Sequence, residues 1–116
     1  MSVRVVLLNQ KIDDETTSIA FAAQRYTHLA LYLFGHGTTS GGTITYEEAA
    51  DDPSSTLPGY GGTWSIIGSA NNASDVTGDK VKATHLTVGA YGLVRARISD
   101  AITGGGSISV VLVASS

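Results

Sequence analysis

The chain is predicted to be all-β, an antiparallel two-sheet sandwich or jelly roll of about seven or eight strands. Three observations carry this. Apolar residues recur at every second position through most of the sequence, the period that sends successive side chains to opposite faces of a sheet. Clusters of Gly, Ser, Thr, Asn and Asp interrupt those runs at short intervals, as turns do in sandwiches. Valine and threonine are abundant while lysine and glutamate are scarce, which favours strands over helices. The length of 116 residues fits one domain, residues 1–116, with a real core.

The elements follow in order. Residues 3–8 (VRVVLL) form a β-branched first strand, and residues 9–15 a polar turn. Residues 16–23 (TTSIAFAA) are ambiguous: Ile19 and Phe21 alternate, yet the alanines permit a helical turn. In residues 27–34 (THLALYLF), Leu29, Leu31 and Leu33 share one face; His28, Ala30, Tyr32 and Phe34 share the other. Both faces are apolar, the mark of a central strand. Residues 35–42 (GHGTTSGG) read as a turn. Residues 43–48 (TITYEE) then point Ile44 and Tyr46 inward. Residues 49–62 hold both prolines, Asp51, Asp52 and several glycines, the composition of a long surface loop. Residues 63–69 (TWSIIGS) resume strand character, and residues 70–79 read as a second loop. Residues 80–88 alternate Val81, Ala83 and His85 against Lys82, Thr84, Leu86 and Val88.

Residues 91–116 close the chain, and two alternating runs around Gly104–Gly105–Gly106 predict a β-hairpin. Val94, Ala96 and Ile98 form its core face, turning Leu93, Arg95 and Arg97 outward. In the last run Ile108, Val110 and Leu112 face the core. Val111 and Val113 then need a second cover, because burying two valines is worth roughly 3–5 kcal/mol.

Composition excludes several classes of function. Cysteine is absent, so no disulfide or thiol chemistry operates. The net charge is −3 with few basic residues, which argues against nucleic acid as a partner. No apolar run approaches the roughly 20 residues of a membrane span, and the short opening run is followed at once by Lys11, Asp13, Asp14 and Glu15, unlike a signal peptide.

No catalytic constellation is legible. The three histidines, His28, His36 and His85, never fall at metal-ligand spacing. His28 and His85 read as structural strand residues, and His36, between two glycines, as solvated. The carboxylates at 13–15 and at Glu47, Glu48, Asp51 and Asp52 do not follow a calcium-loop spacing. No metal and no other cofactor is expected. Trp64, with Tyr60 nearby, either packs at the core rim or offers an aromatic pair to a sugar ring. Arg95 and Arg97 either pair with surface acids such as Glu47 or form a docking ridge.

The opening VVLLN strand, GGTITYEE, GGTWSIIGS and YGLVRARISDAITGGGSISVVLVAS together resemble small β-sandwich structural proteins of tailed bacteriophages. The residues that carry the resemblance are Gly62, Trp64, Tyr91, Arg95, Ala96, Arg97, Gly104, Gly105 and residues 110–113. The resemblance implies a non-enzymatic virion component, made in the host cytoplasm. It implies a capsid decoration (cement) or head–tail accessory protein that binds the major capsid protein or another virion protein. A homo-oligomer, trimer or dimer, is expected, with Leu93, Arg95, Arg97, Val111 and Val113 at one shared surface. The alternative is a carbohydrate-binding module of a phage fibre or adhesin, with Tyr60 and Trp64 as glycan contacts.

Overall fold

The protein's structure, a computed structural model, describes residues 2–49, 63–86 and 92–116. These residues form nine strands: β1 (Ser2–Lys11), β2 (Phe21–Ala22), β3 (His28–His36), β4 (Gly41–Ala49), β5 (Ser65–Ile66), β6 (Asn71–Asn72), β7 (Val81–Leu86), β8 (Leu93–Thr103) and β9 (Ser107–Ser115). A four-residue 3-10 helix, Ala73–Val76, is the one helical element among them. All strand pairs are antiparallel, as predicted.

The pairing partners show how the chain is rolled. β1 pairs β9, β2 pairs β8, β3 pairs β7, and β4 pairs β5 and β6. The chain is thus one long ribbon doubled back on itself between β4 and β5. Rolling the ribbon also lays β9 against β3 and β8 against β4. Sheet A has the order β1-β9-β3-β7 and sheet B the order β2-β8-β4-β5, with β6 also on β4. This is jelly-roll topology.

The predicted closing hairpin is not formed. β8 and β9 lie in different sheets, and the glycine cluster carries the chain from one layer to the other. Gly104 and Gly105 take φ of +102° and +91°, which L side chains rarely adopt. A Cβ on Gly106 would run into the His36 carbonyl. The sequence showed two alternating runs and a flexible connection, which a hairpin and a crossover share.

The core lies between the sheets. Leu29, Leu31 and Leu33 of β3 and Ile108, Val110, Leu112 and Ala114 of β9 face Ile44 and Tyr46 of β4 and Val94, Ala96 and Ile98 of β8. Each set is the one that period-two alternation selects. A register shift between Val6 and Leu8 lets β1 bury both Leu7 and Leu8. The ambiguous stretch 16–23 is extended but mostly irregular. Glu15 N–H donates to Ile98 O, Ile98 N–H to Thr16 O and Ser18 N–H to Ala96 O, so this segment edges β8 ahead of β2. The strand expected over 63–69 shrinks to β5. The loop expected over 70–79 contains β6 and the 3-10 helix. The loop expected over 49–62 lies outside the described residues except Ala49, the last residue of β4.

Two core positions yield predictions of opposite sign. Gly35, expected in a turn, lies inside β3 and faces the Val76 carbonyl so closely that a Cβ has no room. Gly35→Ala should destabilise the fold by roughly 1–3 kcal/mol, read as a fall in Tm of at least about 4 °C. Tyr46 is buried with no hydrogen-bond partner for its hydroxyl among the described residues, and burial pushes its ionisation upward. An unpaired buried hydroxyl is costly, so Tyr46→Phe should be neutral or stabilising by about 1 kcal/mol. A Tm lowered by Tyr46→Phe would reveal a partner for that hydroxyl.

Candidate functional site

The sandwich has two outward faces, and they are built differently. On sheet B, Arg95 stands directly across from Glu47, and Arg97 across from Thr45. Arg95 donates from Nε to Glu47 Oε1 at 2.8 Å, and its Nη2 lies 2.8 Å from the same oxygen. Arg97 Nη2 reaches Glu15 Oε1 at 2.6 Å, and its Nη1 lies 3.7 Å from Glu47 Oε2. Glu47 is buried beneath the two guanidinium groups. The Arg95 guanidinium sits 4.0 Å from the centroid of the Trp64 ring, a cation–π contact. This is the pairing with Glu47 that the sequence allowed, and it engages both arginines internally.

Leu93 does not belong to any docking ridge. It lies between Ala22 and Ala49 on the flanking strands and is 0% exposed. Nor do Arg95 and Arg97 share a surface with Val111 and Val113, because β8 and β9 belong to opposite sheets. The shared surface expected from the sequence depended on the hairpin and fails with it. Tyr60 lies outside the described residues. Trp64 is half-buried, and a sugar ring would have to displace Arg95 from the ring face that it covers.

The outer face of sheet A is different in kind. Cross-strand registers align Val6, Val111, Tyr32 and Ala83 in one row across β1, β9, β3 and β7. The next row holds Arg4, Val113, Ala30 and His85, and a third holds Ser109, Phe34 and Val81. No described element forms a layer over these rows. Val6 is 45% and Val81 54% exposed, whereas Val111 is only 6% exposed. The second-face prediction for Val111 and Val113 is thereby located: they form the centre of an apolar sheet face.

A depression of about 250 Å³ opens in this face between Val6, Phe34 and Val111, with Arg4, Asn9, His36 and Ser109 around it. His36 is not solvated as expected: its Nε2 lies 2.8 Å from Ser109 Oγ. Gln10 N–H donates to that same oxygen at 2.9 Å. His28 shares a hydrogen bond with Thr27 Oγ1 at 3.0 Å. His85 meets the Tyr32 ring edge-on at 6.3 Å. All three histidines therefore lie on this one face. Period-two alternation had grouped Tyr32 and Phe34 with His28, and Val81 with His85. What it could not show was that β3 and β7 are neighbours, which places those groups side by side. Among the described residues, no group of three or more His, Asp or Glu side chains converges as a metal site.

The two carboxylates that pair with Arg95 and Arg97 should differ in weight. Arg97 holds the Glu15 carboxyl below the usual carboxylate range, first through its hydrogen bond and then through its charge. A lowered folded-state value means that the contribution is present at neutral pH and lost as pH falls through that value. Glu15 is exposed, so that contribution is small. Glu47→Gln, in contrast, removes a buried partner from two arginines and should cost roughly 1–3 kcal/mol. Thermal denaturation at pH 7 should show a clear fall for Glu47→Gln and almost none for Glu15→Gln. Equal shifts would contradict this division.

No protein-family model matches the chain, and no curated protein matches it. Among solved structures, the crystal structure of SPBc2 prophage-derived protein YomS is similar, with a TM-score of 0.57 at 10% sequence identity. The match covers 98% of this chain and 92% of that one. At such low identity the likeness is one of fold. The chain thus shares its architecture, over nearly its whole length, with a prophage-derived protein.

Proposed function

We propose that this protein is a non-enzymatic virion component of a tailed phage, a capsid decoration protein that binds the assembled lattice as a homo-oligomer. The observation that carries the homo-oligomer in this reading is the apolar outer face of sheet A, where Val6, Tyr32, Phe34, Val81 and Val113 stand with no described element layered over them. Contiguous apolar surface of that kind marks an interaction site. The fold shared with a prophage-derived protein supports the phage assignment, although jelly rolls serve capsids, lectins and enzymes alike. Ser109 and His36 form a hydrogen-bonded pair, but Ser109 is buried and its oxygen already accepts the Gln10 N–H. The pair braces the β1–β9–β3 junction. A decoration protein gains from multivalency, since each weak lattice contact is multiplied by the copies tied together.

Purified particles test this reading. The chain should co-sediment with intact capsids at a copy number set by the lattice, and capsids lacking it should open at lower temperature. A protein abundant in the lysate but missing from purified particles would end the virion assignment.

A further inference from the structure

We infer that the outer face of sheet A is the contact between two copies of this chain, packed sheet against sheet, and that the histidines around it release the contact in acid. The inference rests on the reading of the protein as a homo-oligomer working through this face, and names its partner and its regulation.

Size is the first argument. Four strands at about 4.8 Å spacing, over a nine-residue register at about 3.3 Å per residue, present roughly 550 Å² in projection. Side-chain relief raises the accessible area above that figure, towards the roughly 800 Å² per partner of a stable interface. Sheets packed face to face lie about 10 Å apart with their side chains interleaved. The depression between Val6, Phe34 and Val111 has room for a side chain from the facing copy.

Symmetry is the second. A two-fold axis requires a patch that complements itself. The row of Val6, Val111, Tyr32 and Ala83 is uncharged from one sheet edge to the other. An axis near Tyr32 and Val111 sets apolar residues against apolar residues and leaves the polar groups at the margin.

Charge is the third, and it supplies the regulation. The titratable groups facing outward are Arg4 on β1, His28, Tyr32 and His36 on β3, and His85 on β7; β9 contributes none. Among the described residues, no carboxylate stands on the face. Asp79, beyond the His36 end, is engaged by Gly37 N–H at 2.8 Å, and Lys82 points off the face to Asp75. Histidine as a class changes charge between pH 5 and 8. With neutral imidazoles the face carries one cation per copy. Protons added to imidazoles on both copies would gather positive charge on two facing sheets, with no carboxylate among the described residues to offset it. The dimer therefore binds protons less well than the monomer, and acid drives it apart. A carboxylate-bearing partner on the same face would show the opposite sign and bind more tightly in acid.

Light scattering and sedimentation on the full chain, at pH 7.5 and pH 5.5, test both parts. At pH 5.5 most carboxylates remain ionised while imidazoles gain charge. We expect a dimer at pH 7.5 whose Kd rises about 100-fold in Val6→Asp and in Val81→Asp. Both side chains are exposed in the monomer, so circular dichroism should show an intact fold. Ile66→Asp, on exposed β5 of sheet B, serves as the control and should leave the dimer unchanged. Lowering the pH to 5.5 should raise Kd by a similar factor. The combined His28→Gln, His36→Gln and His85→Gln variant should lose that pH response while remaining dimeric. A monomer or a trimer at pH 7.5, indifference to both Asp variants, or tightening in acid would each overturn the inference. The virion reading fails separately: a dimer absent from particles removes only the virion assignment, and a particle-bound monomer removes the homo-oligomer and its contact but leaves the virion assignment.

Discussion

The position of β9 between β1 and β3 is the constraint from which the rest of the structure follows. Its register runs to β1 on one side and to β3 on the other for nearly its whole length. A strand inserted there cannot also pair with β8, its neighbour in sequence. The chain must therefore change sheets after Thr103, and the three glycines make that crossing: a Cβ on Gly104 would meet the Thr38 carbonyl, one on Gly106 the His36 and Thr38 carbonyls, and Gly105 sits at positive φ. With β9 fixed, Ile108, Val110, Leu112 and Ala114 become the spine of the core, and β8 is free to lie against β4 and complete the second layer.

The same placement decides what each outer face must solve. β8 brings arginines to the outside of sheet B, where β4 supplies Glu47 and the segment before β2 supplies Glu15. That face is satisfied by charge pairing and by Trp64 beneath Arg95. β9 brings valines to the outside of sheet A, where β3 adds Tyr32 and Phe34 and the edge strands add Val6 and Val81. Arg4 is the one fixed charge on that face among the described residues, and no described element forms a layer over its apolar rows. The chain has thus set the ion pairs of Arg95 and Arg97 on the outside of sheet B, where Ile66 is also exposed, and valines with two aromatic rings on the outside of sheet A, while a single shared core lies between.

Much of this was legible in the sequence because period-two alternation is a local property. The inward sets on β3, β4, β8 and β9 are the ones that alternation selects, and the two-sided character of Val111 and Val113 was visible from the last strand alone. Which strand lies beside which is a long-range property, and no local pattern encodes it. Hence Leu93, which alternates with the arginines, looked exposed, yet the rolled ribbon seals it between Ala22 and Ala49. Gly35 looked like a turn residue because its requirement comes from the Val76 carbonyl, 41 positions away in sequence (76 minus 35). The histidines show both sides of this. His28 and His85 were correctly placed in strands, but only the neighbouring of β3 and β7 reveals that all three imidazoles ring one surface.

The edges of sheet A bear on how that surface is used. An exposed strand edge invites pairing with another chain, and proteins that avoid this bend or charge their edges. β1 is interrupted by register shifts between Val6 and Leu8 and between Leu8 and Lys11, and it carries Arg4 and Lys11. β7 is only six residues long and carries Lys82. Both edges are therefore poor templates for adding a strand. The middle of the sheet has no such protection: its registers are unbroken from β9 through β3 to β7, and its central row, Val111, Tyr32 and Ala83, carries no charge. On the proposed reading, blunted edges and a face with no acid among the described residues direct association to the face. Side-chain packing on a face is also the mode of contact that charge on the face can reverse, since backbone hydrogen bonds along an edge do not respond to imidazole protonation.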